Sequence, residues 1–378
     1  MNGFQLIRLM ICLVSIMILV AACSPATPSA TPPPPPTWTP RFPTPEPVEG
    51  VELYPSKRAG AQIAYDTKTN RAIMFGGAAA MPCWDECDLL DETFIFEAAR
   101  DAWILVEPPV SPGARTNPAM AYDAESDRTI LYAGFMSNEI YAPQDTWAYD
   151  MKTNTWSKMK TEGPPNRYGH SLVYDSESDR MILFGGWNFV ENVGTNDTWA
   201  YDYNTDTWSE VMSAVKPPGR NFQSMVYDSK ADRVIMWGGD TGGVNDTSVW
   251  IFNYNTQAWE ERKTTAGPTS RWLHGMSYDA NADRTILFGG YTGSGESAPD
   301  FSLNSAETWA YDYNLNTWTL LNPNGNPGPI FEFGQAYLES AERLLLFGGV
   351  LDYENTSDKT WLYDFNANTW AEMTQEPK

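Results

Sequence analysis

Short apolar runs separated by polar turns recur along most of the chain, and residues 170–212 show the pattern. A continuous apolar run, Met181–Phe184, ends in the glycine pair Gly185–Gly186, as expected of a strand buried on both faces. The polar turn before it, Asp175–Asp179, supplies Asp and Ser side chains that can cap backbone donors. The segment predicts four antiparallel strands, A to D: His170–Tyr174, Arg180–Phe184, Thr198–Asp202 and Thr207–Met212.

The same unit recurs six times. Strand B of each unit ends at a glycine, and these glycines are spaced by 57, 52, 53, 51 and 59 residues. Two ladders of aromatic residues keep the same register, one in strand C and one in strand D, and 11 of the 16 tryptophans lie on them. The strand C ladder is Phe94, Trp147, Trp199, Trp250, Trp309 and Trp361. The strand D ladder is Trp103, Trp156, Trp208, Trp259, Trp318 and Trp370.

A repeat of this kind predicts a closed ring. One four-stranded unit cannot bury both of its faces alone, whereas six units packed radially can, leaving only short protected edges. We therefore expect an all-β, six-bladed β-propeller with four antiparallel strands per blade. The sequence leaves open whether Val51–Leu53 adds a strand that closes the ring.

The motifs of the third unit carry a resemblance to a known family. Residues Arg167–Trp208 contain R-x-G-H-x-x-x-Y-D, D-R-x-I-L-F-G-G, N-D-T-W-x-Y-D and T-W in order, a set that resembles the kelch repeat. The resemblance covers residues 58–378 and is weakest in the first and sixth copies, where Phe331–Gly334 replaces R-x-G-H. It implies the kelch type of propeller, similar to the blades of galactose oxidase.

Composition and charge narrow the possible partners. Aromatic residues make up 13% of the chain and charged residues only 19%, with 28 glycines and 28 prolines, as expected of an all-β chain. The net charge is −23, and residues 51–378 carry all of it because Arg8, Arg41, Glu46 and Glu49 cancel. Such a surface repels phosphate backbones, so nucleic acid is not an expected partner.

The first 50 residues predict export and tethering. Arg8 precedes an uncharged apolar run at residues 9–22, which is short for a membrane span but suits a signal peptide. The run ends in Val-Ala-Ala-Cys and so resembles a bacterial lipobox, which implies cleavage after residue 22 and a lipid on Cys23. Residues 23–50 are Pro/Thr-rich and predict an extended linker to the propeller at 51–378. The predicted location is extracytoplasmic, on the membrane, at the cell surface or on the periplasmic side.

The remaining cysteines fit an exported protein. Cys83 and Cys87 lie close together in MPCWDEC, and we expect them to form a disulfide in an oxidising compartment. Zinc needs about four N or S ligands, and the chain has only two histidines, His170 and His274, both at repeat positions. No metal and no cofactor are therefore expected.

The variable loops predict the binding face. The A–B and C–D turns are short and uniform, whereas the B–C loops, on the same face as the D–A loops, are long and dissimilar. Rigid scaffolds commonly carry function on such loops. Aromatic side chains there can bind a sugar or a protein or fold back over the blades. The candidates are Trp84, Tyr141, Trp187, Phe189, Tyr291, Phe301 and Tyr353.

Five arginines form a second candidate site on that face. Each begins strand A of its unit, and together they would ring the channel mouth if strand A is innermost. Guanidinium groups can hold a carboxylate or sulfate through paired hydrogen bonds, or they can tie blades together. The five are Arg58, Arg115, Arg167, Arg220 and Arg271.

These features predict a binding module for a protein or glycan at the cell surface, without catalysis. The alternative is a metal-independent sugar epimerase or mutarotase, because six-bladed kelch sialic acid epimerases resemble this chain and work with Arg and Glu. The sequence does not identify a catalytic glutamate, and Glu92, Glu191 and Glu332 are candidates only because they lie on the expected face. The copper chemistry of galactose oxidase is not expected, because both histidines belong to the repeat. The sequence also lacks a dinucleotide fingerprint, a phosphate-binding glycine loop and a Ser-His-Asp set.

Overall fold

Six antiparallel sheets follow one another along the chain, each built from four strands in the order A-B-C-D, and the first sheet has a fifth, two-residue strand at its outer edge. The computed structural model describes residues 49–80, 88–136, 142–243, 246–293, 300–352 and 355–374. The predicted six-bladed, all-β propeller is confirmed. Among the described residues, no helix is long and apolar enough to span a membrane.

The strands are numbered in chain order. Blade 1 contains β2 (Gln62–Asp66), β3 (Arg71–Phe75), β4 (Thr93–Glu97) and β5 (Ala102–Val106), with β1 (Val51–Glu52) outside them. Blade 2 contains β6 (Ala119–Asp123), β7 (Arg128–Tyr132), β8 (Thr146–Asp150) and β9 (Thr155–Lys158). Blade 3 contains β10 (Ser171–Asp175), β11 (Arg180–Phe184), β14 (Thr198–Asp202) and β15 (Thr207–Val211), and a small hairpin, β12 (Trp187–Asn188) and β13 (Val193–Gly194), stands in its B–C loop.

The second half repeats the arrangement. Blade 4 contains β16 (Ser224–Asp228), β17 (Arg233–Trp237), β18 (Val249–Asn253) and β19 (Ala258–Arg262). Blade 5 contains β20 (Gly275–Asp279), β21 (Arg284–Phe288), β22 (Thr308–Asp312) and β23 (Thr317–Leu321). Blade 6 contains β24 (Gly334–Leu338), β25 (Arg343–Phe347), β26 (Thr360–Asp364) and β27 (Thr369–Glu372). The described part of the chain also contains two short 3-10 helices, at Phe301–Leu303 and Glu339–Ala341.

Strand A is the innermost strand of every blade. The A strands of neighbouring blades contact one another around the central channel, from β2 through β6, β10, β16 and β20 to β24 and back to β2. Strand B is almost fully buried in each blade, as its continuous apolar run predicts. Strand D is half exposed at the rim in blades 2 to 6, as in Thr207–Val211, whereas in blade 1 it is almost fully buried. This order places the starts of all A strands around one channel mouth.

On one face, the A–B turns of blades 1 to 5 depend on the Tyr-Asp pairs that end strand A. In blade 3, Asp175 Oδ1 accepts from the backbone N–H of Ser178, and the Tyr174 hydroxyl donates to Asp179, which has a positive φ of 52°. Asn and Asp tolerate this left-handed conformation better than other residues with a Cβ. The Asp residues therefore cap turns, as the sequence indicated.

The strand D tryptophans bind the blades to one another. Trp156 packs edge to face on Phe75 of the preceding blade, with ring centroids 5.3 Å apart. Its Nε1 donates to Thr93 Oγ1, which begins strand C of that blade, at 3.1 Å. The same bond recurs between Trp103 and Thr360, Trp208 and Thr146, Trp259 and Thr198, and Trp370 and Thr308.

The boundary between blades 4 and 5 breaks this pattern. Strand C of blade 4 begins with Val249, which is fully buried and has no hydroxyl group. Trp318 Nε1, the donor from blade 5, is buried without a hydrogen-bond partner. A one-residue change in the repeat therefore leaves an orphaned donor inside the molecule.

The ring closes without exchanging a strand between its ends. β1 pairs with β5 of its own blade, Val51 opposite Leu105, so it extends blade 1 outward and does not join blade 6. At the seam, Gly349 N–H donates to Arg58 O at 2.8 Å, as Gly77 N–H does to Arg115 O between blades 1 and 2. A Cβ on Gly348 would lie 2.4 Å from Arg58 O, which explains the need for glycine there.

Candidate functional site

The five strand A arginines are buried ion-pair partners. Their side chains are at most 1% exposed, and each reaches an acid just before strand C of the same blade, directly before it in four blades and three residues before it for Asp246. Arg167 Nη2 lies 2.7 Å from Asp197 Oδ2. The other pairs are Arg58–Glu92, Arg115–Asp145, Arg220–Asp246 and Arg271–Glu307, at 2.6, 2.8, 2.5 and 2.6 Å.

The remaining guanidinium donors are also occupied. In blade 3, Arg167 Nε donates to Pro165 O and Nη1 donates to Gly185 O at the end of strand B. The acid has a further partner, because Trp199 Nε1 donates to Asp197 Oδ2 at 2.6 Å. Burial favours a higher pKa for Asp197, but the hydrogen bond and charge of Arg167 outweigh it and hold the pKa below its ordinary value.

In blade 6, the two positions that form this ion pair in the other blades carry different residues. Ile330 replaces the arginine, and Lys359 replaces the acid before strand C. The two changes occur together, as expected where leaving one buried charge unpaired would be costly. The prediction that these five arginines present themselves to a ligand is wrong for this geometry, because each side chain is enclosed and saturated within its own blade.

A ring of six residues in the left-handed conformation frames the channel mouth. Each is the second residue after the strand A arginine position, with φ between 49° and 67°. Five backbone hydrogen bonds join neighbouring members, among them Gly60 N–H to Glu332 O at 2.8 Å across the seam and Phe222 N–H to Gly169 O at 2.6 Å. We call this the inner ring: Gly60, Asn117, Gly169, Phe222, Leu273 and Glu332.

Glu332 is the exceptional member of the inner ring. Its side chain is buried, the residue being 6% exposed, and Oε1 accepts from Asn117 Nδ2 at 2.6 Å. The two side chains meet across blade 1, where Gly60 contributes no side chain. Burial raises the pKa of Glu332 to about 7, and the hydrogen bond from Asn117 only partly opposes that rise.

Five members of the inner ring, all except Gly60, and residues at the start of the A strands line a channel cavity of about 170 Å³. Its polar lining includes Gln62, Ser171, Gln223, Ser224 and Gln335 besides Asn117 and Glu332. Two histidines also face it, His170 and His274, and burial lowers the pKa of each to about 3, so both are neutral at pH 7.

The third residue after the strand A arginine position, which is histidine in blades 3 and 5, lies where neighbouring blades meet. Gln223 occupies it in blade 4 and donates through Nε2 to Phe184 O, the last residue of strand B in blade 3, at 2.7 Å. His170 and His274 face the equivalent carbonyls of Tyr132 and Trp237, although their ring nitrogens make no hydrogen bond of good geometry to a described residue. Both rings pack edge to face on the aromatic side chains of these residues. Their place in the fold is between blades.

A continuous band of aromatic rings crosses the B–C and D–A face. Tyr168 stacks on Phe189 at 4.8 Å and meets Phe222 at 5.4 Å, and Phe222 in turn contacts Trp272 at 5.6 Å. The band continues from Trp272 to Tyr291, Phe331 and Phe301 at centroid distances of 5.4 to 6.2 Å. We call it the aromatic arc: Phe135, Tyr168, Phe189, Phe222, Trp272, Tyr291, Phe301 and Phe331.

The arc only partly matches the predicted aromatic contacts. Phe189 and Phe301 belong to it and are half-buried, and Trp187 is half-buried in the β12–β13 hairpin beside it. Tyr291 is only 4% exposed, so its prediction as a surface contact is wrong; its hydroxyl accepts from Asp300 N–H and the ring supports its neighbours. Trp84, Tyr141 and Tyr353, like Cys23, Cys83 and Cys87, lie outside the described residues.

Sequence reasoning missed the residues that make the arc continuous. Tyr168, Trp272 and Phe331 each follow the strand A arginine position, and Phe222 stands where two other repeats have glycine. A large side chain at a glycine position was the available signal. Phe222 lies just before strand A, outside the variable B–C loops that indicate the binding face.

A kelch-type β-propeller is the class of protein that this architecture and its repeated Arg–acid–Trp contacts define. The family model described as the KLHDC2/KLHL20/DRC7 Kelch-repeats domain matches residues 44–214 and 178–378, and the chain belongs to the kelch-repeat family.

Relatives in other organisms are moderately similar. Kelch domain-containing protein 3 from Bos taurus is 26% identical over 299 residues, which is 74% of this chain and 75% of that protein. The Homo sapiens protein of the same name is 25% identical over the same shares. Adagio-like protein 3 from Oryza sativa subsp. japonica is 25% identical over 298 residues, 74% of this chain and 44% of that protein. Kelch propellers are typically protein-interaction modules.

Proposed function

We propose that this propeller is a non-catalytic interaction module that binds a protein partner through the aromatic arc. The observation that carries the proposal is the arc itself, which runs through blades 2 to 6 on the variable loop face. Half-buried rings such as Tyr168, Phe222 and Trp272 are held rigid by one another, so ordering them on binding costs little entropy. Aromatic side chains are enriched among the residues that dominate protein interfaces.

The surroundings of the arc specify its partner further. Val190 is 83% exposed beside Phe189, and Leu303 and Leu351 add exposed apolar surface on the same face. Glu191, Asp240 and Asp300 border the rings, while the five arginines of the face are already neutralised. A partner with a neutral or basic apolar surface fits this face, and an acidic one does not.

The alternative enzymatic function has no free arginine to support it. An epimerase that works with Arg and Glu needs a guanidinium within reach of its substrate, and the five candidates are enclosed in ion pairs. Copper chemistry is equally unsupported, since both histidines lie between blades. A glycan remains a possible outcome of the test below, because aromatic rings also stack on sugars.

The location that we propose rests on the sequence. The signal-like run at 9–22, the Cys23 lipobox and the Pro/Thr-rich linker support an extracytoplasmic lipoprotein whose propeller stands away from the membrane. In that setting, the loop face meets partners at the cell envelope.

Site-specific photo-crosslinking in intact cells tests the proposal. A crosslinking residue at Val190 should capture a specific protein, and the same residue at Leu315, 70% exposed in a C–D turn on the opposite face, serves as the matched control. Purified partner should then bind the full chain directly, and Trp272→Ala should weaken that binding at least tenfold. Equal capture from both positions, or glycan binding that depends on Trp272 without a protein partner, would refute the proposal.

A further inference from the structure

The outer strands of the six blades differ at one position, the second residue after the strand D ladder tryptophan. Four blades carry an exposed charged residue there, and the other two carry leucine. The charged residues are Lys158, Glu210, Glu261 and Glu372, and the leucines are Leu105 and Leu320. Charged side chains on an edge strand hinder it from pairing with another strand. Strand D of blades 1 and 5 therefore lacks the protection that the other four have.

In blade 1, a fifth strand lies along this edge. β1 pairs antiparallel with β5, with Val51 opposite Leu105, and Leu53 N–H donates to Trp103 O at 3.1 Å. The backbone groups of Trp103 and Leu105 therefore face the outer edge, where β1 lies. The molecule itself shows that a strand D with leucine at this position accepts an added antiparallel strand.

In blade 5, no added strand is present in the described part of the chain. β23 is the outermost strand of its sheet, and Trp318 and Leu320 are equivalent to Trp103 and Leu105. No hydrogen bond from another described residue reaches the backbone groups of Trp318 and Leu320 on that edge. Leu320 is 44% exposed. Unpaired N–H and C=O groups along an edge strand are a template for pairing with another chain.

The segment that contains this edge carries no charge. Residues 313–331 run from the C–D turn through β23 and the following loop, and they include no acidic or basic side chain in a chain of net charge −23. Leu315, in the same segment, is 70% exposed. Two copies of so acidic a chain repel each other, and an uncharged contact surface adds nothing to that repulsion. This edge is therefore suited to contact with a second copy.

We propose that β23 pairs with β23 of a second copy, antiparallel about a two-fold axis at Thr319, so that the chain forms a homodimer. In this register, Trp318 of one copy lies opposite Leu320 of the other, and their outward backbone groups form about four hydrogen bonds. Thr319 lies opposite its counterpart, and Thr–Thr pairs across strands are favourable. A two-fold contact needs one self-complementary surface, which the uncharged edge provides.

The small size of the contact makes this dimer weak. A pair of five-residue strands is much smaller than a standard stable interface, which uses roughly 20–30 residues on each side. We expect a Kd of roughly 10–300 µM. The proposal goes beyond the protein-binding function and does not depend on it, because β23 lies at the rim whereas the aromatic arc lies on the loop face.

Sedimentation velocity of the full chain in detergent, from about 5 to 500 µM, tests for the dimer. The sedimentation coefficient should rise with concentration from that of a monomer to that of a dimer. Leu320→Glu imitates Glu210 of blade 3 and should weaken dimerisation at least tenfold. Ser209→Glu adds the same charge at an exposed strand D position of blade 3 and should leave dimerisation unchanged. Since both changes are at exposed positions, both variants should fold.

Hydrogen exchange locates the contact. The amides of Trp318 and Leu320 should exchange more slowly at the highest concentration than at the lowest, in the wild type and in Ser209→Glu but not in Leu320→Glu. A dimer that persists equally in Leu320→Glu, or one without slower exchange in β23, would overturn the proposal. A chain that stays monomeric throughout would also overturn it and would leave the edge to a strand of another protein. Each result is independent of the crosslinking at Val190.

Discussion

Trp103 Nε1 donates a hydrogen bond to Thr360 Oγ1 at 3.0 Å, and this bond joins the first blade to the last. Trp103 also packs on Phe347 of blade 6, with ring centroids 5.4 Å apart. The ring contact repeats at the other blade boundaries, and the hydrogen bond repeats at all of them except the one between blades 4 and 5, so the seam is built like most interfaces in the ring. Closure therefore depends on side-chain contacts made by every blade, and these contacts can be tested individually.

Thr360→Val should weaken the seam. The substitution keeps the shape of the side chain but leaves the buried Trp103 Nε1 without an acceptor, which costs roughly 1–3 kcal/mol of the free energy of unfolding. Urea unfolding followed by tryptophan fluorescence measures the change. Thr207→Val, at an exposed strand D position, is the control and should be nearly neutral. Equal stability of the two variants would show that the hydrogen bond contributes nothing to closure.

Val249→Thr should have the opposite effect at the boundary between blades 4 and 5. A hydroxyl there supplies the acceptor that Trp318 Nε1 lacks, and the other five boundaries show that the geometry allows the bond. We expect a gain of about 1 kcal/mol in the free energy of unfolding, the usual net value of a satisfied buried hydrogen bond. Val249→Ala separates this gain from effects of side-chain size. A loss of stability in Val249→Thr would contradict the explanation.

Arg167→Ile should destabilise blade 3 by roughly 1–3 kcal/mol, because it leaves the half-buried carboxylate of Asp197 without its arginine partner. Blade 6 suggests a compensating substitution, since Ile330 and Lys359 occupy the positions equivalent to Arg167 and Asp197. The double variant Arg167→Ile with Asp197→Lys should recover much of the loss. Chemical denaturation of both single variants and the double variant gives the coupling energy, and additive effects would disprove a paired replacement.

Glu332 should make the protein less stable as the pH rises toward neutrality. Its folded pKa of about 7 lies above the ordinary 4.5, so its contribution is fully present below pH 4.5 and is lost as the pH rises through 7. The difference corresponds to about 3 kcal/mol. Glu332→Gln should remove this pH dependence, so the difference in melting temperature between variant and wild type should grow between pH 4.5 and 7.5. A difference in melting temperature that stays constant with pH would rule out the titration of Glu332 as its cause.

The two histidines should act in the opposite direction. Burial lowers the pKa of His170 to about 3, so its stabilising contribution is present above the ordinary value of 6.5 and is lost as the pH falls toward 3. His170→Gln imitates Gln223 in blade 4 and should reduce acid sensitivity between pH 6.5 and 3. Melting temperatures across that range test this, with His274→Gln as an independent repeat. If the melting temperatures of both variants fall between pH 6.5 and 3 as steeply as that of the wild type, the result would be inconsistent with buried neutral histidines.

The repeat in the sequence predicted most of the fold because each blade is contiguous in the chain. Strands B and C of the third unit, Arg180–Phe184 and Thr198–Asp202, have the predicted bounds, and strand A differs by one residue. Local patterns suffice here, since the strand pairs are neighbours in sequence.

The site was harder to predict because its features depend on ring closure. The left-handed backbone at Phe222, Leu273 and Glu332 runs against the local preference of these residues and is held by bonds between blades. The arginine pattern was visible, but it did not reveal that each guanidinium turns inward to an acid of its own blade. Repeat position alone does not specify side-chain direction.

The placement of β1 has a mechanical consequence. Tension on the chain ahead of Val51 acts first on the two-residue pairing with β5 and on the exposed ion pair between Glu52 and Arg100, and only then on Arg58. Pulling should peel residues 50–57 from the rim of blade 1 while all six blades stay joined. Eight detached residues lengthen the chain ahead of the propeller by at most about 28 Å. This N-terminal segment of blade 1 therefore yields to force before the contacts between the blades do.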